Sequence, residues 1–168
     1  SIVARMGAEY MTVALPEAAN GCVTRRASTT VLGLTFDVLA IGPGLGTGPG
    51  PRAFVKDVLA HSVKPLVVDA DALNVLAGEA RRLRAREGQV IVVTPHPGEM
   101  ARLVGSTAGD VQNRRIDVAS AFARDCGVIV VLKGYRTVVA APDGRVFINS
   151  SGNPGMATGG SGDVLTGV

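Results

Sequence analysis

Aromatic residues are scarce in this chain of 168 residues, at 4%, and charged residues reach only 18%. Few rings means few platforms for stacking single-stranded bases. Lys and Arg number 17 against 14 Asp and Glu, too small an excess for a polyanion-binding field. A nucleic-acid partner is therefore not expected. The densest basic stretch, EARRLRARE (Glu79 to Glu87), carries acids at both ends and reads as a solvated helix face. No apolar run approaches the ~18 to 20 residues that span a bilayer, so no membrane association is expected. There are only two cysteines, Cys22 and Cys126, far apart and without metal-ligand spacing. Buried reduced thiols in a cytoplasmic protein are the expectation. Ser1 is followed by no signal-peptide pattern.

Hydrophobic residues, by contrast, are plentiful at 46%, enough for a packed core in a chain of single-domain length. Short β-branched runs alternate with helix-compatible segments, the pattern of βαβ units around a mainly parallel sheet. Strands are expected at Tyr10 to Leu15, Phe36 to Ile41, Pro65 to Asp69, Val90 to Thr94, Gly127 to Leu132, Thr137 to Ala141 and Arg145 to Ile148. Helices are expected at Pro51 to His61, Asp71 to Ala77, Glu79 to Arg86, Pro97 to Val104, Asp110 to Asp125 and from Gly162 onward. SIVARMGAEY at the start reads as the end of a helix running into a strand, and APDGR (Ala141 to Arg145) as the turn of a late β-hairpin. The fold class is α/β, a three-layer arrangement of helices around the sheet, in one domain over residues 1–168.

The polar and glycine-rich stretches cluster where strands end. Open α/β sheets bind ligands outside the carboxyl ends of their strands. GPGLGTG (Gly42 to Gly48) suits close approach of a ligand to backbone, and equally a tight βα turn. VVDADALN sets Asp69 and Asp71 at a strand terminus; Asp71 suits a helix N-cap, and the pair also suits magnesium with phosphate. TPHPGE holds His96 between two prolines and Glu99 one helical turn on. VLKGYRT carries Lys133 and Arg136 in a turn after a strand, placed for phosphate or for solvent. GGSGDVLTG presents Gly159, Gly160 and Gly162 at a helix start, where free amides and the helix dipole hold an oxyanion. An aspartate there repels phosphate; Asp163 instead suits a general base for a hydroxyl that receives a phosphoryl group, or a helix cap.

With GPGLG, DADALN, TPHPGEM, LKG and GNPGMATGGSGDVLTG in this order, the chain resembles the ADP/ATP-dependent NAD(P)H-hydrate dehydratases of the ribokinase-like superfamily. The match runs over roughly Asp37 to Val168, and TPHPGE and GNPGMATGGSGD are its specific parts. The resemblance implies a hydro-lyase that restores hydrated NADH or NADPH at the expense of ADP or ATP, through phosphorylation of the 6-hydroxyl and loss of phosphate. It implies Asp163 as the base and Gly160, Ser161 and Gly162 as the phosphoryl-stabilising loop. Gly44, His96 and Asp163 would contact the hydrated dinucleotide. Lys133, Gly134, Tyr135, Arg136, Thr137 and Gly162 would hold the adenine nucleotide. Glu99 takes the place of the superfamily's acid associated with Mg2+, although His96 replaces the usual asparagine.

Relative to that family the domain is expected to be incomplete at both ends, with a strand and helix missing before Ser1 and helices missing after Val168. A homo-oligomer is expected. Two other functions fit the same motifs: a kinase for a small alcohol such as a vitamin precursor, and a non-catalytic nucleotide-binding fragment.

Overall fold

In the computed structural model, which describes residues 11–167, the β-branched runs form one six-stranded sheet. Strands β1 (Leu39–Ile41), β2 (Leu66–Val68), β3 (Ile91–Val93) and β4 (Ile129–Leu132) pair in parallel, in that spatial order. Strands β5 (Val138–Ala140) and β6 (Val146–Ile148) extend the sheet antiparallel, joined by the hairpin turn at APDGR. Val68, Val93, Val130 and Leu132 are fully buried. Their neighbours Val67, Val92 and Val131, which point to the other face, are half-buried. Ile41 pairs with Val68, Val68 with Val93 and Val93 with Val130. The residues that follow, Gly42, Asp69 and Thr94, therefore stand side by side at the strand ends. Backbone bonds extend the ladder there, from Asp69 N to Ile41 O at 3.1 Å and from Lys133 N to Pro95 O at 2.9 Å.

Helices flank the sheet. The first, α1 (Ala27–Leu32), packs on α2 (Pro49–His61). In α2, Pro51, Phe54, Val55, Val58 and Leu59 are buried, the i, i+3, i+4, i+7, i+8 stripe of a helix lying on a core. Helix α3 (Ala70–Asn74) follows β2, and a single 3-10 turn occupies Ala80–Leu83. Helix α4 (Pro97–Val104) follows β3 and ends at Gly105, whose φ of 69° provides the left-handed C-cap. Then come α5 (Ala108–Asn113) and α6 (Arg115–Cys126), which packs on β4 and β5. Last is α7 (Ser161–Gly167), preceded by a short 3-10 turn at Pro154–Met156.

Several expected elements differ. Residues 11–15 carry no strand, and Met11 is 96% exposed; only an isolated bridge from Glu17 to Val23 forms nearby. Tyr10 and the SIVARMGAEY stretch as a whole lie outside or at the edge of the described residues. The helix expected over Asp71 to Ala77 starts one residue earlier and ends at Asn74. There the bonds tighten to i→i−3, from Leu76 N to Leu73 O and Ala77 N to Asn74 O. Over Glu79 to Arg86 only the 3-10 turn forms, with Leu83 as its buried anchor. The helix expected over Asp110 to Asp125 is two helices, broken at Arg114 (φ −131°, ψ 39°). The break starts α6 at Arg115, whose guanidinium turns inward to donate to Leu132 O at 2.8 Å and Lys133 O at 3.3 Å. Helix α1 is unforeseen because ASTTVL is poor in strong helix formers; it is held by burial of Ala27, Ser28 and Val31.

Candidate active site

The centre of the strand-end surface is Asp69, 1% exposed, with both carboxylate oxygens occupied. Lys133 Nζ donates to Oδ1 at 2.8 Å, and Thr166 Oγ1 on α7 donates to Oδ2 at 2.7 Å. Burial pushes this carboxyl up, but the bonds from Lys133 and Thr166 outweigh it and hold it below the ordinary aspartate range. The Thr94 hydroxyl adds a weaker favourable influence; it makes no hydrogen bond of full geometry and is the one buried side-chain polar atom without a partner among the described residues. Asp69 is also the N-cap of α3 by backbone conformation, although its side chain caps nothing.

Asp71, expected as the cap, lies instead in the first turn of α3. Its Oδ2 accepts from Gly46 N at 2.8 Å and ties the GPGLG loop to this helix. The loop's glycines differ in what they do. Gly42 has φ 137°, and a Cβ on it would fall 1.8 Å from the Asp69 carbonyl oxygen, so only glycine fits. Gly44, at φ 68°, is exposed and borders open space, which leaves its backbone accessible to a ligand. Asn74 Oδ1 accepts from Arg102 Nε at 3.0 Å, bracing α3 against α4.

His96 caps α4. Its Nδ1 accepts from Gly98 N at 3.0 Å while its own N–H donates to Glu99 Oε2 at 2.8 Å, a reciprocal cap. With Nδ1 accepting, the hydrogen-bond pattern assigns the ring proton to Nε2, which faces Glu99 Oε1 at 3.3 Å. The imidazole is half exposed, while Glu99 is 5% exposed. Lys133 Nζ lies 3.9 Å from Glu99 Oε2, so one ammonium links the two buried acids. His96, Glu99, Lys133, Asp69 and Thr166 thus form a continuous polar chain across the ends of β2, β3 and β4 and onto α7.

The glycine loop before α7 has Gly160 at φ 88°. Among the described residues no acceptor takes the amides of Gly160, Gly162 or Asp163, leaving the first-turn donors that a helix cannot satisfy itself. Ser161 Oγ is held by Thr158 O at 2.8 Å, so this hydroxyl shapes the loop. Asp163 is exposed. A Cβ on Gly162 would stand 3.4 Å from Lys133 Nζ, which places the start of α7 in contact with the polar chain.

Lys133 opens the turn Gly134, Tyr135, Arg136, Thr137. Gly134 (φ 136°) lies under the Arg115 guanidinium, 2.8 Å from where a Cβ would be, and Thr137 Oγ1 donates to Gly134 O at 3.0 Å. Tyr135 is 85% exposed and the Arg136 guanidinium sits 5.4 Å from its ring centre. Beside this turn is a cleft of about 460 Å³ that also touches Arg114, Arg115 and Ile148. It does not include His96 or Asp163, which border the open surface at the strand ends.

The structure therefore gathers Lys133, His96, Glu99 and Gly162 about Asp69, and ties the Gly44 loop in through Asp71. It places Gly160, Ser161 and Asp163 at the same end, Gly160 just before α7 and the other two in its first turn. Thr166 is the residue that sequence reasoning misses; its signal is its place three residues after Asp163, on the same side of a helix. Among the described residues no group of three or more His, Cys, Asp or Glu gathers as a metal cage. Both oxygens of Asp69 and of Glu99 already have polar neighbours. These residues do not build a protein-held magnesium site.

The family model for NAD(P)H-hydrate dehydratase matches residues 4–168. The bifunctional NAD(P)H-hydrate repair enzyme of Moorella thermoacetica is 51% identical over 99% of this chain and 32% of its own length. The ADP-dependent (S)-NAD(P)H-hydrate dehydratase of Neisseria meningitidis is 46% identical over 76% of this chain and 44% of its own. The Bacillus subtilis ADP/ATP-dependent NAD(P)H-hydrate dehydratase, co-crystallised with ATP/Mg2+, superposes with a TM-score of 0.71 at 38% identity, covering 81% of this chain and 47% of that one. An Enterococcus faecalis ribokinase-like protein gives 0.67 at 31% identity. The chain spans between about a third and about half of these relatives.

Proposed function

Because this chain belongs to the NAD(P)H-hydrate dehydratase family, we propose that it carries the catalytic surface of a hydro-lyase that repairs hydrated NADH or NADPH with ADP or ATP. The observation that supports this most directly is the start of α7: open amides at Gly160 and Gly162 beside an exposed carboxylate, all at the strand ends. Asp163 takes the proton of the 6-hydroxyl as the oxygen attacks the terminal phosphorus of the nucleotide, whose bond to the bridging oxygen breaks to release AMP from ADP or ADP from ATP. The Gly160–Gly162 loop donates to the transferring phosphoryl oxygens, where charge builds. The new ester then breaks its C6–O bond, phosphate leaves with that electron pair, and loss of a proton from the adjacent ring carbon restores the double bond. Hydroxide is a poor leaving group and phosphate a good one, so the nucleotide supplies the driving force.

His96 Nδ1 is held by the cap, so its half-exposed ring meets the dinucleotide through its face and its Nε2 edge, next to the accessible backbone of Gly44. The outward Tyr135 ring offers a stacking face for adenine, and the turn from Lys133 to Thr137 with Gly162 holds the rest of the nucleotide. Mg2+ accompanies the nucleotide phosphates rather than a carboxylate cage, in keeping with a cation that retains its waters; a direct role for Glu99 would require it to give up its cap. A cytoplasmic setting accords with two free cysteines, and a homo-oligomer is in keeping with the exposed apolar β6 edge.

The test is incubation of the protein at its full native length with hydrated NADH, Mg2+ and ADP or ATP. Recovery of reduced-nicotinamide absorbance is expected. Phosphorylation of a stable alcohol without that recovery would establish a small-alcohol kinase instead. Bound nucleotide with turnover of neither substrate would establish a non-catalytic binding domain.

A further inference from the structure

The geometry points to Asp69 as a positioning residue for phosphoryl transfer: through Thr166 and Lys133 it fixes α7 against the turn that holds the nucleotide. This rests on the dehydratase reading of the site and adds to it a positioning role for Asp69 and Thr166.

Of the residues of α7 only Thr166 is buried; Ser161, Asp163, Val164 and Leu165 are exposed. The hydrogen bond from Thr166 to Asp69 joins residues 97 apart in sequence, and among the described residues it is the one side-chain hydrogen bond from α7 to the sheet. Thr166 lies three residues after Asp163 and four after Gly162, so all three share one side of the helix. Fixing Thr166 therefore fixes the directions of the proposed base and the loop amides.

The other oxygen of Asp69 does the complementary task. It holds Lys133 Nζ at 2.8 Å, and Lys133 opens the nucleotide turn. A single buried carboxylate thus sets the distance between the group that receives the proton and the group that binds the donor. Asp69 itself is 1% exposed and has both oxygens occupied, so it cannot act on substrate directly. Displacement of a reacting group by about 1 Å costs on the order of 100-fold in rate.

The experiment compares Thr166→Val, Thr166→Ser and Asp69→Asn with the native protein at its full length. It measures kcat, KM, directly titrated ADP affinity, the melting midpoint and amide hydrogen exchange across α7. Thr166→Val is expected to lower kcat on the order of 100-fold with ADP affinity unchanged, to speed exchange in α7 alone, and to be rescued by Thr166→Ser. Asp69→Asn should show the same kcat loss with a lower melting midpoint. Native-like kcat and native-like α7 exchange in Thr166→Val would overturn the proposal, as would failure of serine to rescue. If the native protein turns over no hydrated cofactor, the dehydratase reading fails by itself, and the exchange data still decide whether Asp69 holds α7.

Discussion

Asp69 and Asp163 lie at the same end of the same sheet and are opposites in every physical respect. Asp69 is buried at the end of β2, receives two side-chain hydrogen bonds and lies against a lysine. Asp163 stands on the first turn of α7, exposed, with open amides beside it. A carboxylate whose lone pairs are all directed at fixed donors holds structure in place. One whose lone pairs face an open surface next to an oxyanion-binding loop is available for proton transfer. On the proposed reading, the difference teaches that the site divides its acids by solvent access, one to set geometry and one to do chemistry.

The sharpest way to break that division is to remove the exposed acid. Asp163→Asn should cut turnover by on the order of 1,000-fold, within the range for loss of a general base, with ADP affinity and melting midpoint unchanged; steady-state kinetics with direct titration of ADP checks this. The corresponding change at the buried acid should lower stability as well as turnover. Asp69→Asn removes the nearer of the two carboxylates beside Lys133 and should cost about 2 kcal/mol of stability, measured by urea unfolding.

The backbone around Asp69 gives a third contrast. Gly42→Ala sets a Cβ against the Asp69 carbonyl at a positive φ and should cost about 3 kcal/mol or more. Gly44→Ala meets open space, and only its φ of 68° resists, so about 1 kcal/mol is expected, with weaker binding of the hydrated dinucleotide. Unfolding curves for the two variants separate these outcomes.

A smaller effect comes from pH. The folded-state pKa of Asp69 is depressed, so its contribution to stability is complete above the unfolded value and is lost as pH falls below about 4 toward the folded value. Melting midpoints measured from pH 6 down to pH 3 should fall less steeply in Asp69→Asn than in the native protein. Smallest of all is Glu79, held at about 2 by hydrogen bonds from Lys56 and Arg82 but at the surface. Glu79→Gln should leave turnover unchanged and move the melting midpoint no further than replicate scatter.

What was legible in the sequence followed local signals. Helix α4 is readable to the residue because Pro97 opens it and Gly105 closes it. The β-branched cores of all six strands announce themselves, though each ordered strand is shorter than its apolar run. Where tertiary contacts decide, the sequence is silent. The break at Arg114 depends on the Arg115 guanidinium reaching the end of β4, and α1 depends on burial against α2. The TPHPGE and GGSGD motifs mark the site, yet nothing local connects Asp69 with Thr166. That bond exists only because the parallel register brings the ends of β2 and β4 beneath α7.

Single-turnover mixing of ADP, Mg2+ and hydrated NADH with the native protein and with Asp163→Asn, at saturating nucleotide, tests the central claim most directly. A burst of NADH absorbance in the native protein, absent in the variant although ADP remains bound, is the expected result. Equal recovery of NADH by both proteins would contradict the assignment of the exposed aspartate as the base.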